Sequence, residues 1–412
     1  MRKVLILGKS AKESSLAQIL AKDCKVFVAP GNETMKDFAE LVVDINDYDI
    51  AKIVEFVLEN DISLTIATDN QSISEELLQM FEQNNLQIFA PPESFINLTK
   101  DKVAAKKLLY KLHIPTPRFA SFDKPSMAHD YVRNNKNTFI IKSNLKEYAT
   151  ICVNTNIAKT AIDDLTLRNE TILIEEYING QTFSVYFVSD GYKVLPIGTA
   201  LNYNFSLEGD GGILTNGIGA VSPFYKLTDA HLEYLTNNVA TPIREYFEHQ
   251  TPLIGIWGVE AILTNDDHIF ITNIKHFLSD SDAQGILTQL DINILKLIDD
   301  CILGTFADIY NNIPTKDIVT TSGVLSARND NEIIEGVKNL DENTLISFYG
   351  GRKNKYLEFE TQKGKVLNIT TTAGTLSRAR NLLYEEIESI NFATKTYRKD
   401  IGSIMTGSRG LL

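Results

Sequence analysis

The sequence predicts a multidomain protein of α/β and α+β units. A parallel α/β domain occupies residues 1–100. A central unit spans 101–315, with a smaller lobe at about 121–185, and a small α+β domain fills 316–412. Three observations carry this reading. The chain has 412 residues, and a single core stops growing at roughly 250–300, so several packed units are required. Strands alternate with helices over the first hundred residues, whereas strands crowd together with hairpin turns beyond residue 138. Proline-bearing breaks mark a linker at Pro115 and Pro117, before the smaller lobe, and a second one at Pro314, before the last unit.

The N-terminal elements follow in order. Residues 3–7 are a short apolar strand followed by Gly8, and 13–21 have helical apolar spacing at Leu16, Ile19 and Leu20. A second strand at 25–28 is closed by Pro30-Gly31-Asn32. A helix at 50–58, a strand at 63–67, a helix at 73–81 and a strand at 87–89 complete the unit. Such alternation implies a parallel sheet covered on both faces, whose ligands sit at the carboxyl ends of the strands. That places Gly8-Lys9-Ser10, Pro30-Gly31-Asn32 and Thr68-Asp69-Asn70 around one crevice. Gly8 stands alone, with no G-x-G-x-x-G, which sets aside a dinucleotide site. Pro-Gly-Asn is also strong turn chemistry in its own right.

The central unit opens with a helix at 101–112 that carries Lys102, Lys106, Lys107 and Lys111. A new lobe begins near Ser121, and a strand at 138–142 ends in Lys142. Further strands lie at 149–153, 171–176, 182–188 and 193–197, the last entered through Asp190-Gly191. Residues 209–223 are rich in glycine and read as a loop over a site, and 227–249 as a long helix. In 254–284 apolar alternation breaks at Thr264-Asn265-Asp266-Asp267 and then resumes, the signature of an antiparallel hairpin. Glu260 lies on its first strand. On the second, Thr272 and Ile274 are expected on one face, Ile271 and Asn273 on the other. A helix at 292–303 follows. After the break at 311–317 come strands at 323–327, 345–349, 356–360 and 365–370 and a helix at 376–387.

Composition narrows the function. Hydrophobic residues make up 43% and charged residues 23%, ordinary for a globular chain. The net charge of −13 lacks the basic footprint that nucleic-acid binding needs. Cys24, Cys152 and Cys301 lie far apart, as buried reduced thiols rather than a disulfide framework or zinc site. With neither a signal peptide nor an apolar run of membrane-spanning length, the expectation is a cytoplasmic monomer or dimer with small-molecule partners and no membrane or nucleic acid.

A resemblance now becomes visible. Residues 26–32 (Val-Phe-Val-Ala-Pro-Gly-Asn), Leu64-Thr65-Ile66 and Ile88-Phe89-Ala90-Pro91 carry it through the first unit. Lys102 to Lys106, His113-Ile114-Pro115-Thr116, Ile174-Glu175-Glu176-Tyr177 with Gly180, and Val194-Leu195-Pro196 continue it. Asn216-Gly217-Ile218-Gly219-Ala220 with Ser222-Pro223, and Tyr397-Arg398-Lys399-Asp400-Ile401-Gly402, complete it. Nearly end to end, the chain resembles the phosphoribosylamine–glycine ligase (glycinamide ribonucleotide synthetase) family of the ATP-grasp superfamily. The resemblance implies a three-part fold, ATP and Mg²⁺, and purine-biosynthetic chemistry. In that chemistry ATP phosphorylates the glycine carboxylate, and phosphoribosylamine attacks the acyl phosphate. Such catalysis needs lysines on the phosphates, a glycine-rich flap, and Mg²⁺ held by carboxylates and an amide.

Carried over residue by residue, Lys102 and Lys142 match the phosphate lysines, and Glu175, Glu176 and Tyr177 the strand whose backbone reads adenine. Gly8, Gly31 and Asn32 match the phosphoribosyl crevice, Asp210 and Gly217 the substrate loop, and Asp280 and Asp282 the acids that contact glycine. Elsewhere the pattern breaks. The flap reads Ser143-Asn144-Leu145-Lys146-Glu147-Tyr148-Ala149, with no glycine to bring backbone against phosphate. Asn202-Tyr203-Asn204-Phe205 replaces a run of cations. Lys12-Glu13-Ser14 stands for Arg-Glu-His, and Asn70 for a glutamate. The metal strand, Glu-x-Asn in the family with an arginine two residues on, reads as Thr272, Ile274 and His276 in one register and Ile271, Asn273 and Lys275 in the other. The glutamate is missing in both, leaving Glu260 and at most the amide of Asn273 for a metal. Asp280 and Asp282 read as an exposed acidic loop, and His276 as a surface imidazole. Two readings follow: a ligase with a degenerate metal and phosphate site, or a non-catalytic paralogue serving as a nucleotide-, metabolite- or protein-binding module.

Overall fold

The structure, a computed structural model, describes residues 1–69, 72–135, 137–146, 148–249, 251–337, 340–341, 343–349 and 352–403. Asn70 and Glu147, singled out above, lie outside the described residues.

The N-terminal sheet is parallel, as predicted. Its strands run in the spatial order Glu40–Leu41, Lys25–Pro30, Lys3–Gly8, Leu64–Ala67, Ile88–Phe89. Val4 through Leu7 are fully buried on both faces, which explains the unbroken apolar run of the central strand. Helices Ala11–Leu20, Ile50–Glu59 and Glu75–Gln83 cover it. At the carboxyl ends, the Gly31 amide donates to the Gly8 carbonyl at 3.0 Å, so the two predicted turns do meet.

Two helices, Glu93–Lys100 and Lys102–Lys111, lead into the central unit. Asp101 caps the second by accepting from the Ala104 amide at 2.8 Å. The small lobe is a four-stranded antiparallel sheet in the order Phe119–Phe122, Ile172–Glu176, Phe139–Ser143, Ala149–Cys152. Helices Pro125–Asn134 and Thr155–Leu167 close its core around Phe139, Ile141, Ile162 and Leu165.

An eight-stranded sheet joins the rest, in the order Ile269–Lys275, Ile254–Leu263, Gln181–Asp190, Val194–Asn202, Gly219–Ser222, Val319–Ala327, Gly364–Ala373, Leu345–Phe348. The α+β elements of the last unit are thus present, but their sheet continues the central one instead of standing apart. The link is Gly219–Ser222, paired with Val194–Asn202 on one side and Val319–Ala327 on the other. It falls inside the glycine-rich stretch expected to be a loop. That stretch also holds part of a small hairpin, Phe205–Leu207 with Gly211–Leu214. The glycines there mark close packing: a Cβ on Gly219 would meet Ile401 at 2.4 Å. No helix among the described residues is long and apolar enough to cross a membrane.

Candidate active site

The hairpin of strands Ile254–Leu263 and Ile269–Lys275 forms as expected, with one difference in register. Glu260 pairs with Asn273, whereas Ala261 pairs with Ile271, so Thr272 is the extra residue of a β-bulge. The bulge corrects the assignment of faces. Ile271 and Ile274 share the core side, at 0% and 1% exposure, and Thr272 and Asn273 both turn to the cleft. Two one-residue registers were open in the sequence because the strand itself shifts register at this point. Glu260 stands opposite them, accepting from the Thr272 hydroxyl at 3.2 Å and from Asn204 Nδ2 at 3.1 Å. Lys275 Nζ lies 3.7 Å from Glu260 and donates to Ser184 Oγ at 2.8 Å and Ser279 Oγ at 2.9 Å. Burial disfavours the Lys275 charge, but Tyr186, Glu260 and Asp282 outweigh it, and its pKa is raised.

These groups line a cavity of about 320 Å³ that also receives Lys12, Lys102, Lys142, Gly217, His276 and Asp280. A smaller one of about 80 Å³ lies between small-lobe residues Ile140, Lys142 and Ile151 and hairpin residues Glu260, Ile262 and Thr272. Lys142 reaches it from the end of its strand and pairs with Glu175 at 3.0 Å. Glu175 is buried, unlike an exposed acid of a surface strand, and also faces Lys106 at 3.5 Å. Lys106, four residues after Lys102 in one helix, is buried against the same carboxylate, a contact that reading the matched lysines alone misses. Tyr177 and Glu176 continue the strand, their amides bound to the carbonyls of Thr138 and Arg118 at 3.1 and 2.8 Å.

The flap is built from side-chain and carbonyl contacts. Asn144 Oδ1 accepts from the Val103 amide at 2.8 Å, and Lys102 Nζ donates to the carbonyls of Lys146 and Asn144 at 3.0 and 3.4 Å. Lys146 pairs its charge with Glu170 at 2.6 Å. Gly217 lies against Ser281, whose Oγ would be 2.5 Å from an added Cβ. Asp210 lies at a second cavity of about 250 Å³ and pairs with Arg398 at 2.8 Å.

Asp280 and Asp282 do not form an exposed loop. They open helix Asp280–Gln289, and Asp282 is 1% exposed. Asp282 accepts from the Tyr186 hydroxyl at 2.7 Å and Asn202 Nδ2 at 3.0 Å. Asp280 accepts from Ser10 Oγ at 2.6 Å and the Lys12 amide at 2.9 Å, which joins the N-terminal crevice to the central cleft. In that crevice Lys12 pairs with buried Glu13 at 3.1 Å and with Asp69 at 3.7 Å. Asn32 is committed to structure: its Nδ2 donates to the Lys9 carbonyl at 2.8 Å and its Oδ1 accepts from the Thr34 amide at 3.0 Å.

His276 lines the cleft, half-buried, and is not a surface imidazole. Burial, with Lys12 beside it, pushes its pKa from 6.5 down to about 4. A native state that stays neutral while the unfolded chain takes a proton loses stability as pH falls from 6.5 to about 4. The expected loss is about 2 kcal/mol, less than the full shift because the ring faces the cleft. Urea denaturation across that range should show it, and His276→Gln should flatten that part of the curve.

Two lobes gripping a cleft, lysines entering from both and a carboxylate on the facing hairpin define a protein of the ATP-grasp class. Family models resolve it further: the phosphoribosylglycinamide synthetase N domain matches residues 2–98, its ATP-grasp (A) domain 100–279 and its C domain 325–404. The chain belongs to the phosphoribosylglycinamide synthetase family. It is 26% identical to the phosphoribosylamine–glycine ligase of Halalkalibacterium halodurans, covering 99% of this chain and 98% of that protein. To the Lactococcus lactis enzyme of the same name it is also 26% identical, over 97% of this chain and 99% of the other. The crystal structure of phosphoribosylamine–glycine ligase from Thermotoga maritima superposes with a TM-score of 0.80 at 21% identity, covering 97% of this chain and 100% of that one.

Proposed function

We propose that this chain is an ATP-dependent ligase joining glycine to 5-phosphoribosylamine, with a cleft rebuilt around Glu260. One observation carries the proposal: the bulge sets Glu260 opposite Thr272 and Asn273, in the cavity that Lys102 and Lys142 also line. We read the domains as 1–100, 101–315 with a lid at about 121–185, and 316–412.

The residues fit Mg²⁺. Glu260 supplies one carboxylate, Asn273 an amide oxygen and Thr272 a hydroxyl. Mg²⁺ commonly takes one or two carboxylates and completes its shell with water and phosphate. When bound, it would neutralise charge on the transferring phosphoryl group. Lys142 from the lid and Lys102 from the helix that precedes it hold the phosphates, and the 175–177 backbone, with Glu175, Glu176 and Tyr177, borders the base. Asp280 is the acid available to the glycine ammonium, while Asp282, saturated by Tyr186 and Asn202, holds the floor of the site. Gly8, Gly31 and Asn32 shape the crevice for the phosphoribosyl group, and Lys12 supplies its charge. Glycine and the amine thereby meet beside Asp280, where holding reactants in line is the main source of rate.

The test is phosphate release from MgATP with each substrate singly and with both. Release that requires glycine and phosphoribosylamine together is the expected result. Binding of MgATP without release under any combination would replace the ligase with the non-catalytic module. Lys142→Ala is expected to weaken MgATP binding about tenfold, as loss of one charge-assisted contact of ~1.5 kcal/mol. Titration calorimetry checks it, and unchanged affinity would remove Lys142 from the phosphate site.

A further inference from the structure

The segment Tyr397-Arg398-Lys399-Asp400-Ile401-Gly402 stood out in the sequence, yet none of it lines the cavity of about 320 Å³. Arg398 is nevertheless among the largest fully buried side chains of the protein. Its guanidinium donates to Asp400 Oδ1 at 2.5 Å, to Asp210 Oδ1 at 2.8 Å and to the Phe205 carbonyl at 3.0 Å, and it lies 4.9 Å from the centre of the Tyr203 ring. Asp400 accepts in turn from the Gly209 amide at 2.9 Å, and the Gly402 amide donates to the Tyr203 hydroxyl at 2.8 Å. Phe205, Gly209 and Asp210 all belong to the hairpin at 205–214.

That hairpin stands outside the eight-stranded sheet. Its two strands form a sheet of their own, and a two-stranded hairpin is marginal in water unless packed. Leu207 and Ile213 are 61% and 75% exposed. Asp210 sits in the left-handed region at φ 60°, a conformation that persists only where surroundings enforce it. Functionally the hairpin is a wall. Leu214 lines both the 320 Å³ and the 80 Å³ cavities, and Thr215, Asn216 and Gly217 follow it into the cleft. A rigid planar fork that binds two carboxylates and a carbonyl fixes direction as well as distance, which a lysine cannot do.

We infer that Arg398 is a positioning residue: it clamps the 205–214 hairpin through Asp210, Asp400 and the Phe205 carbonyl, and so sets the fit of nucleotide in the cleft. This rests on the nucleotide reading of that cleft. The test uses the full-length protein, Arg398→Lys, Asp210→Asn and a distant control, Arg244→Lys, which perturbs another buried arginine paired with Glu248. Thermolysin cleavage within 205–214 is measured with and without MgATP, beside KM for ATP, kcat and melting temperature. Both clamp variants are expected to speed cleavage roughly tenfold and raise KM for ATP roughly tenfold, with kcat within about twofold. MgATP should protect the native hairpin and protect the variants less. Arg244→Lys should lower the melting temperature alone. The clamp is overturned if neither clamp variant changes cleavage, or if the control changes cleavage and KM as much. Should the native protein show no turnover, the ligase reading falls, and the clamp is decided by cleavage and MgATP protection, which need none.

Discussion

Replacing Glu260 by Gln is expected to lower kcat/KM for MgATP roughly 100- to 1000-fold, a loss of ~3–4 kcal/mol of transition-state stabilisation. The substitution keeps the shape of the side chain, and an amide oxygen can still accept from Thr272 and Asn204 as the carboxylate does at 3.2 and 3.1 Å. What disappears is the only acidic charge on the two strands of the hairpin. The Mg²⁺ concentration for half-maximal rate should rise with it, because Asn273 and Thr272 offer only neutral oxygens. Lys275, 3.7 Å from the same carboxylate, would also lose that ion pair and add repulsion toward a metal. Initial rates across an Mg²⁺ titration check this. An unchanged Mg²⁺ dependence would mean that Glu260 is a structural acid and that any metal is held elsewhere.

Glu175→Leu should destabilise the protein by about 3–5 kcal/mol, the usual cost of leaving buried charge unpaired. Glu175 and Lys106 are each 1% exposed, and Lys142 pairs with the same carboxylate at 3.0 Å. Burial pushes the Glu175 carboxyl up, but Lys142 and Lys106 outweigh it, and its pKa lies below the ordinary 4.5. Its stabilisation is therefore present above that ordinary value and lost as pH falls through the lower folded one. Burial, aided by Lys142 and opposed by Glu175, pushes Lys106 down to about 8, so the ammonium depends on this partner. Urea denaturation measures the loss. The double variant with Lys106→Met should recover much of it, since an apolar replacement of a buried pair is often neutral. A single variant within about 0.5 kcal/mol of the native protein would show that the pair is hydrated.

How much of this was legible in the sequence varied with the physics behind each feature. The parallel N-terminal sheet was readable because strands buried on both faces give unbroken apolar runs, as Val4 to Leu7 do. The 254–275 hairpin was readable from its alternation and its polar turn. The bulge at Thr272 was not, because an inserted residue makes two registers equally good until the partner strand is seen. Strand Gly219–Ser222 was hidden by glycines that look like loop chemistry and serve close packing. Asp282 looked exposed because nothing near it in sequence announces Tyr186 and Asn202, which reach its helix from two strands. Lys106 was visible as a lysine but not as a buried one, since its partner Glu175 is far away along the chain. Several of the matched residues meet in one cavity, while partners brought together by the fold decide what each one touches.

The central claim is that glycine is activated through its own carboxylate in the cleft of Glu260, Lys102 and Lys142. Glycine labelled with ¹⁸O in both carboxylate oxygens, supplied with MgATP and phosphoribosylamine, tests it most directly. The prediction is one ¹⁸O in each phosphate released and one retained in the amide product, read by mass spectrometry. Unlabelled phosphate, or phosphate formed without amide, would contradict it, because the γ-phosphoryl group would then have gone to water and not to glycine.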